Sequence, residues 1–232
     1  MFHLSLFLFL EERFAHGLTL FHYCHLKPWA HKAHGFFFSL VLGNMCNSKA
    51  VILIGYRGSG KTSVGQRLAS ELGRPFFDTD ALVEKRAGMP IDAIVSQMGW
   101  AHFRELEKQV IASVSGKPNR VVATGGGAVM DPANVGCLKR NGWIVWLKAG
   151  ARILRQRIEK DQGAGMSRPS LTGEDPLKEI QAVLEQREPV YQKICDFVLD
   201  TDGSAVLDVA ESILDVLRDG PQGRDHGRKH FR

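Results

Sequence analysis

The run Gly55-Tyr56-Arg57-Gly58-Ser59-Gly60-Lys61-Thr62 spaces its glycines, lysine and hydroxyl as GxxxxGKT. Glycines at these positions clear side chains from a loop and let it visit positive φ, so that successive amides can face inward. The amides of Gly58, Ser59 and Gly60, with those at the start of a following helix through Ser63, can then hold phosphate oxygens. Lys61 is spaced to reach between the β- and γ-phosphates of a nucleoside triphosphate, and the Thr62 hydroxyl stands where such loops ligate Mg²⁺. Arg57 either touches phosphate or is solvated. A glycine-rich turn with an exposed lysine would give the same letters. The buried-strand pattern before the motif and the helical pattern after it favour the phosphate loop.

A phosphate loop alone does not separate a kinase from an ATPase, a GTPase or a transporter motor, and three further groups bear on that choice. Asp78-Thr79-Asp80 follows a short apolar run. Two carboxylates at i and i+2 of an extended segment point the same way, at the strand end where open α/β sheets bind ligands. One can serve a magnesium shell and the other can aim a substrate hydroxyl; Asp80 can also cap a following helix. In Phe103-Arg104-Glu105-Leu106-Glu107, Arg104 and Glu107 are three apart on a helix and can pair. Glu107 can then hold the guanidinium fork toward an acceptor carboxylate. Gly125-Gly126-Gly127 ends another apolar run, and a ligand lying against the backbone is one reason for three adjacent glycines.

The elements that must position these groups alternate between strand and helix. Val51–Ile54 is a continuous apolar run suited to a strand buried on both faces. Val64, Leu68 and Leu72 line a helix ending at Gly73, and Phe76 and Phe77 form a second strand. A helix spans 79–87, and another runs from Pro90 to Gly99 with Ile91, Ile94, Val95 and Met98 inward. A further helix over 101–114 leads to a strand at 121–124. A fourth strand covers 143–147, and 151–158 is helical. The stretch 160–175 carries too many glycines and prolines for one regular element. A helix starts at Asp175-Pro176, a fifth strand covers 197–199, and Val209, Ile213 and Leu217 line a closing helix. The alternation predicts one α/β domain with a parallel sheet covered on both faces.

The formal charge of +5 is spread over the ends: 1–48 hold three basic and two acidic side chains, 219–232 four and two, leaving about +2 for 49–218. That is no nucleic-acid footprint. The four cysteines form no CxxC pair, so a reducing interior is expected. Residues 1–48 concentrate eight of the thirteen phenylalanines and six of the nine histidines. Their apolar run Leu4–Leu10 is too short to span a bilayer and has no basic segment before it, and the histidine spacing fits no compact metal signature. An atypical extension is expected there, either poorly ordered or preceding a true start at Met45, and 219–232 reads as a basic solvated tail.

In that order and at those separations, the phosphate loop, FFDTD, FRELE, TGGG, SRPSL and REPVY resemble the shikimate kinase family over residues 49–218. The resemblance implies a P-loop NMP-kinase-like three-layer fold with a five-stranded parallel sheet in the order 2-3-1-4-5. It implies ATP and Mg²⁺ as cofactors and transfer of the γ-phosphoryl group to the 3-hydroxyl of shikimate, by a cytoplasmic monomer without nucleic-acid or membrane partners. Asp80 would bind the shikimate hydroxyls, more by positioning than as a base, and Asp78 would belong to the magnesium environment with Thr62. Arg104 and Arg187 would meet the shikimate carboxylate, and Gly126, between Gly125 and Gly127, would contact it through its backbone. Arg168 would be a lid arginine over the phosphates, and Arg155 or Arg157 would lie near adenine. Gly99-Trp100-Ala101-His102 departs from the family's Gly-Glu before FR, and Arg168-Pro169-Ser170-Leu171 departs from its Arg-Pro-Leu-Leu. Two other readings compete: a kinase of another sugar acid such as gluconate, and a nucleotide-binding regulatory module without catalysis.

Overall fold

The structure is a computed structural model, and the residues it describes are 49–163 and 176–219. Five strands, β1 (Ala50–Ile54), β2 (Phe76–Asp78), β3 (Val121–Ala123), β4 (Gly142–Lys148) and β5 (Phe197–Asp200), pair in parallel in the order β2-β3-β1-β4-β5. The central strand β1 reads Ala-Val-Ile-Leu-Ile and is buried along its whole length, as a strand covered on both faces must be.

The period of two along β1 divides the core. Ile52 and Ile54 face one side with Ile111, Val114, Leu138, Tyr191 and Ile194. Val51 and Leu53 face the other with Val64, Leu68, Val209 and Ile213. The first set comes from helices α3 (Ile91–Val114), α4 (Pro132–Lys139) and α6 (Pro176–Ile194), the second from α1 (Lys61–Leu72) and α7 (Val206–Asp219). Each fully buried aliphatic side chain contributes about 1.5–3 kcal/mol, so both faces of one strand are what hold the three layers together. The remaining helices, α2 (Thr79–Ala87) and α5 (Ala151–Gly163), lie beside the ligand end. Val83 of α2 packs with Ile91, Ile94, Phe103 and Val110 of α3 in a separate small core.

The strand order is the one that the family resemblance implies, with two additions to the periodicity reading. Helix α4 was not anticipated, although Asp131-Pro132 announces it: Asp131 accepts the Ala133 amide at 2.9 Å as N-cap, and proline takes the first helical position, where its missing donor costs nothing. Helix α5 continues to Gly163, five residues past the expected end. The break expected at Gly99 is present as a non-helical residue (φ 81°, ψ 165°) inside α3. Residues 164–175, which hold Arg168 and most of the expected lid, lie outside the described residues, as do 1–48 and 220–232.

Gly65 of α1 faces the sheet so closely that a Cβ there would overlap the Phe76 ring and stand 3.2 Å from Leu53 Cδ1. Alanine would gain somewhat under 1 kcal/mol in helix propensity, but overpacking costs about 1–3 kcal/mol. Gly65→Ala is therefore expected to lower the urea midpoint at unchanged m-value in equilibrium unfolding.

Candidate active site

The order of strands reverses at β1, whose neighbours are β3 and β4. A crevice opens at such a point beyond the strand C-termini, and the phosphate loop leaves β1 there. Gly58 and Gly60 have φ of 77° and 88°, as the sequence pattern requires. Lys61 is buried, and its Nζ donates to the Tyr56 carbonyl at 2.7 Å and to Ser59 Oγ at 3.4 Å. Thr62 Oγ1 donates to Asp78 Oδ2 at 2.7 Å, while Ser63 is exposed. On the far side of the loop Arg157 of α5 donates to the Gly58 carbonyl at 3.4 Å and to both oxygens of Thr201, at 3.0 and 2.6 Å. Arg155 instead pairs with Glu159 on its own helix at 2.6 Å. Arg157 thus bonds the loop backbone.

The two aspartates do not lie on one extended segment, contrary to the expectation from their spacing. The strand ends at Asp78, which caps α2 by accepting the amides of Asp80 at 3.0 Å and Ala81 at 3.4 Å. Asp80 is then in the first helical turn, so the carboxylates part. Asp78 reaches Thr62, and Asp80 lines a neighbouring pocket. The capping residue is Asp78, not Asp80. The residue between them, Thr79, is wholly buried and accepts the Gly125 amide on Oγ1 at 2.9 Å. That bond ties the end of β2 to the glycine turn after β3. Nothing in the Asp-Thr-Asp spacing distinguishes it from a spacer.

The pocket is walled by Arg57, Asp80, Arg104, Glu107 and Arg187 above the glycine turn, with Ile91, Trp100 and Phe103 on its apolar side. Arg104 Nη1 meets Glu107 Oε2 at 2.6 Å, the pair expected from the i, i+3 spacing. Its guanidinium also lies 5.1 Å from the Phe103 ring centre and 5.6 Å from that of Trp100, within cation–π range. The Glu107 side chain is only 2% exposed, and its Oε1 is buried with no hydrogen-bond partner among the described residues. Burial pushes the Glu107 carboxyl above its usual range; the Arg104 charge opposes this, and the Asp80 charge adds to it.

The three glycines serve the protein's own side chains first. A Cβ on Gly125 would stand 2.6 Å from Asp80 Oδ1 and 2.8 Å from Glu107 Oε1. One on Gly127 would stand 2.5 Å from Arg104 Nη2 and 3.0 Å from Nη1. At these two positions the missing Cβ makes room for groups that line the pocket, and all three glycines border that pocket themselves. The Gly126 carbonyl accepts from the Tyr191 hydroxyl, a fully buried phenol whose pKa burial pushes up to about 12. Four residues back on α6, Arg187 lies 5.7 Å from the Tyr56 ring centre.

With three guanidinium groups and two carboxylates, the pocket wall carries one excess positive charge. Its chemistry suits a small acceptor with one carboxylate and several hydroxyls, set beside a loop that holds a nucleoside triphosphate. Fold and site together define a P-loop small-molecule kinase. The model for the family described as shikimate kinase matches residues 57–218. A shikimate kinase of Syntrophus aciditrophicus is 45% identical over 176 residues, covering 72% of this chain and 90% of that protein. One of Caldanaerobacter subterraneus is 41% identical over 166 residues, covering 72% and 94%. Among solved structures, shikimate kinase from Acinetobacter baumannii in complex with shikimate superposes with a TM-score of 0.68 at 33% identity, covering 73% of this chain and 92% of that one. This chain belongs to the shikimate kinase family, and it is an ATP-dependent kinase.

Because the Gly127 position has no room for a methyl group, Gly127→Ala is expected to displace the Arg104 guanidinium by about 1 Å. Misplacement on that scale costs roughly 100-fold in kcat/KM. The loss should fall on the acceptor and leave nucleotide affinity unchanged, as titration of the variant with ATP and steady-state kinetics would show.

Proposed function

We propose that the chain passes the γ-phosphoryl group of ATP to the 3-hydroxyl of shikimate, with Asp80 and Arg104 as the acceptor's principal contacts. The observation that carries this reading is the placing of Asp80 and the Glu107-paired Arg104 over one glycine turn, next to the loop that bears Lys61 and Thr62. Arg104 and Arg187 take the acceptor carboxylate. Asp80 accepts a hydrogen bond from the hydroxyl to be phosphorylated and aims its oxygen at the γ-phosphorus, and the Gly126 backbone borders the ring. The hydroxyl oxygen forms the new P–O bond, the bond to the β-phosphate oxygen breaks to release ADP, and the hydroxyl proton passes late to the Asp80 carboxylate. Aiming the hydroxyl therefore matters more than strong basicity in Asp80.

Lys61 leaves the Tyr56 carbonyl for the phosphate oxygens and offsets the charge that spreads over them in transfer. The loop amides of Gly58, Ser59 and Gly60, with Ser63 behind them, hold the β-phosphate, and the bond of Arg157 to the loop backbone supports taking it, rather than Arg155, as the arginine near adenine. Thr62 Oγ1 and Asp78 Oδ2, 2.7 Å apart, are hard oxygen donors of the kind Mg²⁺ selects, so these two residues would hold the ion. Once bound, the ion would neutralise charge on the phosphate oxygens. Arg168 keeps its assignment to the phosphates on the family resemblance alone. The kinase domain is taken as 49–218, with the family match over 57–218 in support. Among the described residues no helix is long and apolar enough to cross a membrane; a cytoplasmic monomer is part of this reading.

Coupled ADP release with ATP and magnesium should proceed with shikimate, and far more slowly with gluconate or with no acceptor. Lys61→Ala is expected to lower kcat roughly 10²–10³-fold with little change in acceptor KM. Arg104→Ala should mainly raise the KM for shikimate. Turnover with gluconate but not shikimate, or unchanged shikimate constants in Arg104→Ala, would overturn the assignment.

A further inference from the structure

Arg57 is only partly solvated. Its side chain is 25% exposed, and its Nη2 lies 3.9 Å from Glu179 Oε1, whose side chain is 2% exposed. At that separation the two attract by charge but do not share a good hydrogen bond. Arg57 Nε and the hydroxyl of its neighbour Tyr56 are buried, and neither makes a well-formed hydrogen bond among the described residues; at most they interact weakly with each other. The Tyr56 phenol is pushed up by burial, while the nearby charges of Arg57 and Arg187 oppose the shift. A buried N–H without a well-formed hydrogen bond is costly, and here it belongs to a cation in the wall of the acceptor pocket.

Glu179 stands in the first turn of α6. Glu179, Arg187 and Tyr191 are spaced by eight and four residues, so they share one face of that helix. From that face Glu179 meets Arg57, Arg187 lines the pocket, and Tyr191 bonds the Gly126 carbonyl. One helix thus sets the phosphate loop's arginine, the pocket's third arginine and the glycine turn.

We propose that Glu179 is a positioning residue for phosphoryl transfer, which holds the Arg57 guanidinium in the acceptor-pocket wall so that its weakly bonded N–H can meet the acceptor. The inference rests on the reading of the pocket as an acceptor site. Arg57 is the group that touches substrate; Glu179 acts through it. A structural ion pair would serve stability only, whereas a positioning pair serves affinity for the acceptor as well, and the two can be separated because the pair can be removed together.

The test measures thermal unfolding and steady-state kinetics of the full chain for wild type, Glu179→Gln, Arg57→Met and the double variant. Glu179→Gln should raise the KM for shikimate roughly tenfold, with the KM for ATP within about twofold of wild type. Arg57→Met removes a charge partner of the buried Glu179 carboxylate and should lower Tm; the double variant should recover Tm while the acceptor KM stays high. Recovery of both Tm and acceptor KM in the double variant, or a lowered Tm with unchanged acceptor KM in Glu179→Gln, would reduce the pair to a structural one. If wild type phosphorylates another hydroxy acid instead of shikimate, the reading of the acceptor fails by itself, and the same comparison on that acid still decides the role of Glu179.

Discussion

The parallel pairing of β1 with β3, with Leu53 opposite Ala123, is the constraint on which the site depends. Parallel strands end on the same side, so the phosphate loop that leaves β1 and the glycine turn that leaves β3 emerge next to each other. Thr124 closes that junction by donating its amide to the Leu53 carbonyl at 3.0 Å and its hydroxyl at 3.2 Å. Pairing of β2 on the outer side of β3 in turn brings Asp78 opposite Ala123. Three short sequence segments, separated by long helices, are thereby brought to the same end of the sheet, where the Thr79–Gly125 and Thr62–Asp78 bonds tie them together.

On that frame the polar groups are held by unequal means. Glu107 gives up hydration to stay beside Arg104, and leaving a buried charge without its partner is far more damaging than losing a surface pair. Arg104 is the more exposed member, at 39% against 2%, so the buried carboxylate is the anchor and the guanidinium is the presented group. Aromatic faces on one side and the missing Cβ of Gly127 on the other leave the fork little freedom. Such preorganisation matters for transfer chemistry, where position and fixed charge contribute more than covalent participation by the protein.

Much of this was legible in the residues. Apolar periodicity located all five strands, and the i, i+3 spacing anticipated the Arg104–Glu107 pair. What escaped shows the limits of period and spacing. Helix α4 has a weak apolar stripe and is declared by its cap, Asp131-Pro132, rather than by its buried face. The divergence of Asp78 and Asp80 depends on the backbone turning helical immediately after Asp78, which an i, i+2 count assumes away. Thr79 to Gly125 and Arg57 to Glu179 are contacts across 46 and 122 positions of chain, and no local pattern carries them. The order of the strands came from the family resemblance, because alternation alone is compatible with several orders.

Asp78 uses one carboxylate for two neighbours: one oxygen caps α2 and the other accepts the Thr62 hydroxyl. The helix turn that carries Asp80 and the end of the nucleotide loop therefore meet at a single side chain. An asparagine there could keep the cap while changing the charge beside Thr62, whereas an alanine would loosen the first turn that carries Asp80. The position is pleiotropic by construction, and a variant at Asp78 reports on helix integrity and phosphate-site charge at once.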